Sequence, residues 1–337
     1  MNMNVSTTKP AGNRHKSLVI ISGASRGIGR AIAFAITDAV QEPIRDDDDD
    51  DDGKSRMMAA PLRMVLMARS AESLVETARL VDQRCTGGDG GSANVAVTTS
   101  CHAVDFSDLD ALPEKLQRIL EPLSEDEAYE SCWLINNAGS LGPLGLASSV
   151  DGGSDAMKEL RNAVDVNVTS SIWLSSQFAR TFLSTASAPS SSTAHDEKSP
   201  LVRIVNISSL CAIKPFPTMS IYCAGKAGRD MFHSVLAKEH STRSTQNDKE
   251  STTENDESCR KQIEMLKVLN YAPGACDTRM TDELSECSNL DAEVHQYVTS
   301  SKQENKLIRP RDTAQKLVKI LCLDEFQSGA HVDYWDV

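Results

Sequence analysis

Short apolar runs alternate with longer segments of helical period along most of the chain. Ser17–Ser22, Arg63–Ala68, Val95–Val104, Cys132–Asn136, Leu201–Ile207 and Leu266–Tyr271 have the length and the branched, apolar content of strands. Between them, Gly29–Val40, Ala71–Gln83, Leu109–Leu120 and Tyr222–Glu239 read as helices. The first strand is apolar almost throughout instead of alternating, which predicts burial on both faces, as in a parallel sheet covered by helices. Strand–helix alternation of this kind predicts an α/β fold, a doubly wound parallel sheet of the Rossmann type.

Three segments break the pattern. Residues 46–56 are an acidic run, 184–200 are rich in Ser, Ala and Pro, and 241–261 are almost wholly polar. None can bury enough apolar surface to offset the entropy of ordering, so each is expected to be a solvated loop insertion. The Gly-rich stretch 85–94 is a shorter connection of the same kind, and residues 1–16 are expected to be disordered. What remains, 17–337, suits a single domain better than two.

Composition narrows the function classes. The formal net charge is -13, and Asp46 to Asp52 supply seven of the negative charges. No basic face is large enough to neutralise many phosphates, so nucleic acid is not the expected partner. No apolar stretch approaches the roughly 20 residues needed to cross a bilayer. The first residues lack the apolar core of a secretory signal. Nine cysteines, without the spacing of a zinc site, read as free thiols in a reducing compartment, and a cytoplasmic location without a bound metal is expected. Cys211 and Cys223 flank candidate reactive residues but read as packing thiols.

The candidate chemistry begins directly after the first strand, at Ser22-Gly-Ala-Ser-Arg-Gly-Ile-Gly29. Glycines at 23, 27 and 29 permit a tight turn and close approach of backbone to a pyrophosphate, whose charge then meets the N–H groups of the following helix. Gly23-Ala-Ser-Arg-Gly27 also fits the G-x-S-x-G elbow of a hydrolase, but its place after the first strand and the added Gly29 favour the phosphate reading. Arg69 stands after the second strand, where an NAD-specific site usually places a carboxylate. With Arg26 it supplies two cations suited to a 2′-phosphate, so NADPH is the expected cofactor. Tyr222 and Lys226 lie four apart at the start of a predicted helix and share one face. A phenol needs a nearby ammonium to act near neutrality, and Lys226 can supply one. Ser209 follows the strand ending at Ile207 and could reach the same carbonyl oxygen.

Taken together, Gly23-x3-Gly27-x-Gly29, Asn136-Asn-Ala-Gly139, Asn167, Ser209, Tyr222-x3-Lys226 and Pro273-Gly274 resemble the short-chain dehydrogenase/reductase family over residues 17 to 337, the insertions apart. The resemblance implies Ser209, Tyr222, Lys226 and Asn167 as the catalytic set, with Asn167 supporting a water-linked proton path. It implies a cofactor site of Gly23, Ser25, Arg26, Gly27, Ile28, Gly29, Arg69, Ser70, Asp105, Asn137, Tyr222, Lys226, Pro273 and Gly274. Segments such as Tyr222-Cys-Ala-Gly-Lys-Ala-Gly-Arg-Asp-Met231 and Gly329-Ala-His-Val-Asp333 look like the sepiapterin-reducing branch of that family. In that branch the carboxylate matching Asp333 anchors a pterin, and it can pair with the 2-amino group and adjacent ring N–H. Ser209, Tyr222 and Asp333 are therefore the expected substrate contacts. The expected reaction is NADPH-dependent reduction of a pterin side-chain carbonyl, in sepiapterin or 6-pyruvoyl-tetrahydropterin, toward tetrahydrobiopterin. A carbonyl or diketone reductase of other specificity is the alternative, and a non-catalytic NADP-binding regulator is disfavoured by the complete Ser/Tyr/Lys set. Residues 140–160 and 281–308 match the branch less clearly. The family also implies a homodimer through the helices near Ser170–Leu183 and Tyr222–Glu239, whose apolar residues exceed one core-facing stripe.

Overall fold

The computed structural model describes residues 16–41, 60–86, 97–126, 129–150, 152–184, 200–247 and 265–336. The acidic insertion 46–56 lies outside the described residues, as do nearly all of 1–16 and 184–200 and the part of 241–261 beyond Asn247.

Seven strands form one sheet, β1 (Ser17–Ser22), β2 (Leu62–Ala68), β3 (Val97–Ala103), β4 (Ser131–Asn136), β5 (Leu201–Ile207), β6 (Leu266–Ala272) and β7 (His331–Asp333), in the order β3-β2-β1-β4-β5-β6-β7. Every pairing is parallel. The chain winds outward from β1 to β3, then returns to place β4 on the other side of β1, so the sheet has a switch point between β1 and β4. This is the expected doubly wound arrangement.

Alternation within the buried strands feeds two apolar layers. Val19 and Ile21 of β1 pack with Ile32 and Ile36 of α1 (Gly27–Gln41), Val81 of α2 (Ala71–Thr86) and Leu317 and Leu321 of α9 (Pro310–Leu323). Leu18 and Ile20 face the other way, toward Leu116 of α3 (Leu112–Asp126), Phe178 and Phe182 of α5 (Ser170–Ser184) and Leu236 of α6 (Ser220–Asn247). With helices on both faces, each central strand can be apolar throughout.

Three differences from the sequence pattern have a clear physical cause. The helix predicted from Leu109 starts at Leu112, because the Asp108 carboxylate and carbonyl accept the Ala111 and Leu112 N–H groups in a turn. The helix predicted over Tyr222–Glu239 continues to Asn247, into the polar segment, where no Gly or Pro interrupts it. The three-residue strand β7 has no periodicity to detect and exists through its pairing with β6. The remaining helices, α4 (Ser154–Val164), α7 (Arg279–Glu286) and α8 (Ala292–Gln303), frame the carboxyl end of the sheet near Tyr222.

Candidate active site

The carboxyl ends of β1, β4, β5 and β6 gather the predicted residues on one rim of the sheet. After β1, Gly23 and Gly27 adopt φ of +68° and +55°, which disfavour any residue with a Cβ. A Cβ on Gly29 would collide with the Gly23 carbonyl oxygen. The turn is therefore a backbone cradle that only glycine closes, opening on the N-terminus of α1, and it fits a pyrophosphate. Asn137 braces it from just after β4, donating from Nδ2 to the carbonyls of Ser22 (3.1 Å) and Gly23 (3.2 Å). Arg30 braces it from the other side, with Nε 3.0 Å from Thr77 Oγ1 and a short hydrogen bond to the Ser25 carbonyl. Ile28 is partly buried against the core on the first turn of α1.

Arg26 and Arg69 are both exposed, and neither ion-pairs or hydrogen-bonds through its guanidinium with any described residue. The Ala24 N–H donates to the Met67 carbonyl (3.2 Å), so the loops carrying the two arginines adjoin. Ser70 instead caps α2, its Oγ accepting the Ser73 N–H (3.2 Å). Burial raises the Asp105 carboxyl, but hydrogen bonds from Ser107 N and Oγ, with Arg69 and Lys115 nearby, leave it below its ordinary range.

Ser209 ends an extended segment after β5, where its Oγ accepts the Cys211 N–H (3.2 Å). Tyr222 sits on the first turn of α6, in an apolar cluster with Leu141, Cys211, Met219 and Leu290, its hydroxyl 3.7 Å from Met280 Sδ. Lys226, one turn on, is buried; its Nζ donates to the Ile207 carbonyl (2.7 Å) and lies 5.6 Å from the Tyr222 ring centroid. The electrostatic balance differs from the one expected of a phenol beside an ammonium. Burial pushes the Tyr222 phenol up, Cys211 adds to this, and Ser209 pulls the other way. Burial likewise brings Lys226 down to about 7, with Arg229 in the same direction and Asp230 and Cys211 opposing. Burial thus dominates the phenol, and the opposing pull comes from Ser209 and Arg229.

Asn167 lies in a π turn (Asp165–Thr169) ahead of α5. Its amide spans the Ser140 backbone, donating to the carbonyl (2.8 Å) and accepting the N–H (3.0 Å). The side chain therefore fastens the loop after β4. Gly274, after Pro273, has φ +74°, and a Cβ there would collide with Ile308. Asp333 closes β7 opposite Ala272, and its Oδ1 accepts the Trp335 N–H (3.1 Å). Beside Tyr222 a cleft of about 480 Å³ is lined by Leu144, Leu146, Val150, Leu160, Ile221 and Asn289, among others. The weakly matching residues 140–160 and 281–308 thus include those that shape this end of the fold.

Sequence reasoning missed a buried polar network under the rim. Asn136, Asn206, Asn270 and His331 stand in register on β4 to β7. Arg229 of α6 reaches Asn206 Oδ1 (2.8 Å) and the carbonyls of Ala138 (2.7 Å) and Asn136 (2.6 Å). Asp230 accepts from Asn206 Nδ2 (2.8 Å) and meets His331 Nδ1 (2.7 Å). The available signal was a lone polar residue near the end of several apolar strands, and an adjacent Arg-Asp pair in the first half of a helix.

A family model described as short chain dehydrogenase matches residues 55–246. The chain is 30% identical over 320 residues to sepiapterin reductase of Meriones unguiculatus, covering 95% of this chain and 97% of that one. It is 23% identical over 312 residues to benzil reductase ((S)-benzoin forming) of Bacillus cereus, covering 92% and 96%. Among solved structures, an NAD+-bound xylitol dehydrogenase superposes with a TM-score of 0.64 at 13% identity, covering 96% of this chain and 99% of that one.

The lowered Lys226 pKa makes a stability prediction. From about pH 7 up to its ordinary 10.5, the unfolded chain keeps this proton and the folded chain has released it, so the group makes stability rise with pH; below about 7 both states hold the proton and the slope vanishes. Lys226→Met removes that dependence. In urea unfolding, the parent is expected to gain on the variant between pH 7 and pH 9, and a constant difference would contradict the assignment.

Proposed function

The chain belongs to the short-chain dehydrogenase family of NAD(P)-dependent oxidoreductases, and from that premise we propose that it reduces a pterin side-chain carbonyl with NADPH. Sepiapterin or 6-pyruvoyl-tetrahydropterin is the substrate, and the product lies on the route to tetrahydrobiopterin. The observation that carries this reading is the position of Asp333 on β7, opposite Ala272 and at the same sheet end as the Ser209, Tyr222 and Lys226 group. The pterin-reducing relative matches along nearly its whole length.

The glycine cradle and Asn137 would bind the cofactor's pyrophosphate side, Asp105 and Ser70 would border its adenosine end, and Pro273 and Gly274 would border the nicotinamide. When bound, the reduced nicotinamide supplies the hydride that adds to the carbonyl carbon. Tyr222 donates its phenolic proton to the carbonyl oxygen, and burial keeps that proton in place until negative charge develops there. Ser209 holds the same oxygen by hydrogen bond. Lys226 would reach the nicotinamide ribose and, when protonated, would stabilise the phenolate left after transfer. Asn167 holds the Ser140 loop and supports a water-linked return of the proton from solvent. Asp333 pairs with the pterin's 2-amino group and ring N–H.

A second reading, a diketone reductase, draws on the benzil reductase relative and on the apolar cleft beside Tyr222. One assay separates the two: consumption of NADPH with sepiapterin and with a small diketone, by the parent, Tyr222→Phe and Asp333→Asn. The pterin reading expects loss on both substrates in Tyr222→Phe, by about 100-fold or more, and loss confined to sepiapterin in Asp333→Asn. Equal effects of Asp333→Asn on both substrates favour the second reading.

Arg26 and Arg69 carry the NADPH preference, since two exposed guanidinium groups on adjoining loops suit a 2′-phosphate. Arg69→Asp is expected to move the NADPH to NADH ratio of kcat/KM toward NADH by about ten-fold or more. A parent that uses both cofactors equally would overturn this.

The proposal extends to a cytoplasmic homodimer. Trp173 of α5 and Met231 and Val235 of α6 are exposed large apolar residues on the helices expected to pair. The described cysteines are all free, which suits a reducing compartment. Among the described residues no helix is long and apolar enough to cross a membrane. Light scattering is expected to give twice the chain mass, and a single-chain mass would refute the dimer.

A further inference from the structure

Strand β7 is three residues long and pairs on one side with β6, so the ladder gives it little hold. Helix α6 supplies the rest in evenly spaced rungs. Ser234 Oγ donates to the Gly329 carbonyl (3.1 Å). Four residues earlier on the helix and two later on the other chain segment, Asp230 Oδ2 meets His331 Nδ1 (2.7 Å). Four helical residues span about 6 Å, and two strand residues span about 6.6 Å, so the two rises nearly match. Continued by one step, the same spacing matches Asp333 to Lys226 in chain position, and alternation along a strand puts Asp333 on the same face as His331.

The middle rung is built with more care than a surface pair. Asp230 is also held by Asn206 Nδ2 (2.8 Å), whose own oxygen accepts from Arg229. Asn270 of β6, the register partner of His331, reaches the Asp230 carbonyl oxygen (3.4 Å) and Ser234 Oγ (3.3 Å). A carboxylate only accepts, so His331 donates through Nδ1–H. Its Nε2 is buried and has no hydrogen-bond partner among the described residues.

We propose that the Asp230–His331 pair is a positioning device that sets the height of β7 against α6 and thereby fixes where Asp333 stands relative to the end of α6 that carries Tyr222 and Lys226. This rests on the reading of Asp333 as the substrate's anchor. Neither Asp230 nor His331 touches the reacting atoms; both act through Asp333.

The test compares His331→Leu, which removes the donor, with His331→Asn, which keeps an N–H near the Nδ1 position. In the full chain, His331→Leu is expected to raise the KM for sepiapterin by about ten-fold or more while kcat, the KM for NADPH and the KM for a small diketone stay within about two-fold. His331→Asn restores most of the loss. Hydrogen exchange at the amides of 331–333 quickens in His331→Leu and returns toward the parent in His331→Asn, while exchange in β5 stays unchanged. KM values that rise together for sepiapterin and diketone, an unmoved sepiapterin KM, or unchanged exchange in β7 would each overturn the proposal. A parent protein that shows no preference for sepiapterin would instead overturn the pterin reading, and the exchange measurement then decides by itself whether the pair sets β7.

Discussion

The carboxyl end of the sheet depends on one buried guanidinium. Arg229 is fully enclosed, and an unpaired charge there would be strongly destabilising. Each of its nitrogens finds an oxygen, on Asn206, Ala138 or Asn136. Those contacts tie α6 to the ends of β4 and β5. The neighbouring Asp230 extends the tie to β7 through His331. The cofactor-side loop after β4, the helix carrying Tyr222 and Lys226, and the edge strand carrying Asp333 are thus braced by two adjacent residues. A polar network of this kind specifies one arrangement because each member has few alternative partners in an otherwise apolar interior.

Burial governs the chemistry above that brace. Tyr222 shares its cluster with Leu141, Met219 and Leu290, and Met280 lies against its hydroxyl. Removing water raises the phenol and lowers the lysine, each toward its neutral form. For the proposed reduction a neutral phenol is the useful form, since the acid must still hold its proton when charge begins to form on the substrate oxygen. A lysine poised near neutrality can respond to the charge that cofactor and substrate bring. Pairwise reasoning about an ammonium beside a phenol captures the participants but not this balance, because the surrounding apolar volume is made by residues distant in sequence.

The two ends of the site differ in how they are held. At the cofactor end, glycines at 23, 27 and 29 impose their geometry locally, through positive φ and through the collision any Cβ would cause at 29. Around Tyr222 and Asp333, β7, α7 and α8 take their places from tertiary contacts, as the Asp333–Ala272 pairing and the packing of Met280 and Leu290 show.

This difference explains what was legible in the chain before any coordinates. Six of the seven strands, the parallel sheet, the glycine turn and the Tyr222–Lys226 spacing were open to reading because each rests on short-range physics: apolar runs, backbone freedom and helical period. The short strand β7, the register that aligns Asn136, Asn206, Asn270 and His331, and the direction of the Tyr222 and Lys226 shifts were not. Those properties belong to residues tens to hundreds of positions apart, and no local pattern records which of them will share one buried volume. The amino-acid sequence by itself determined the fold class and named the candidate groups; only tertiary structure decided how those groups are braced and how they hold their protons, because packing and burial are properties of the assembled interior.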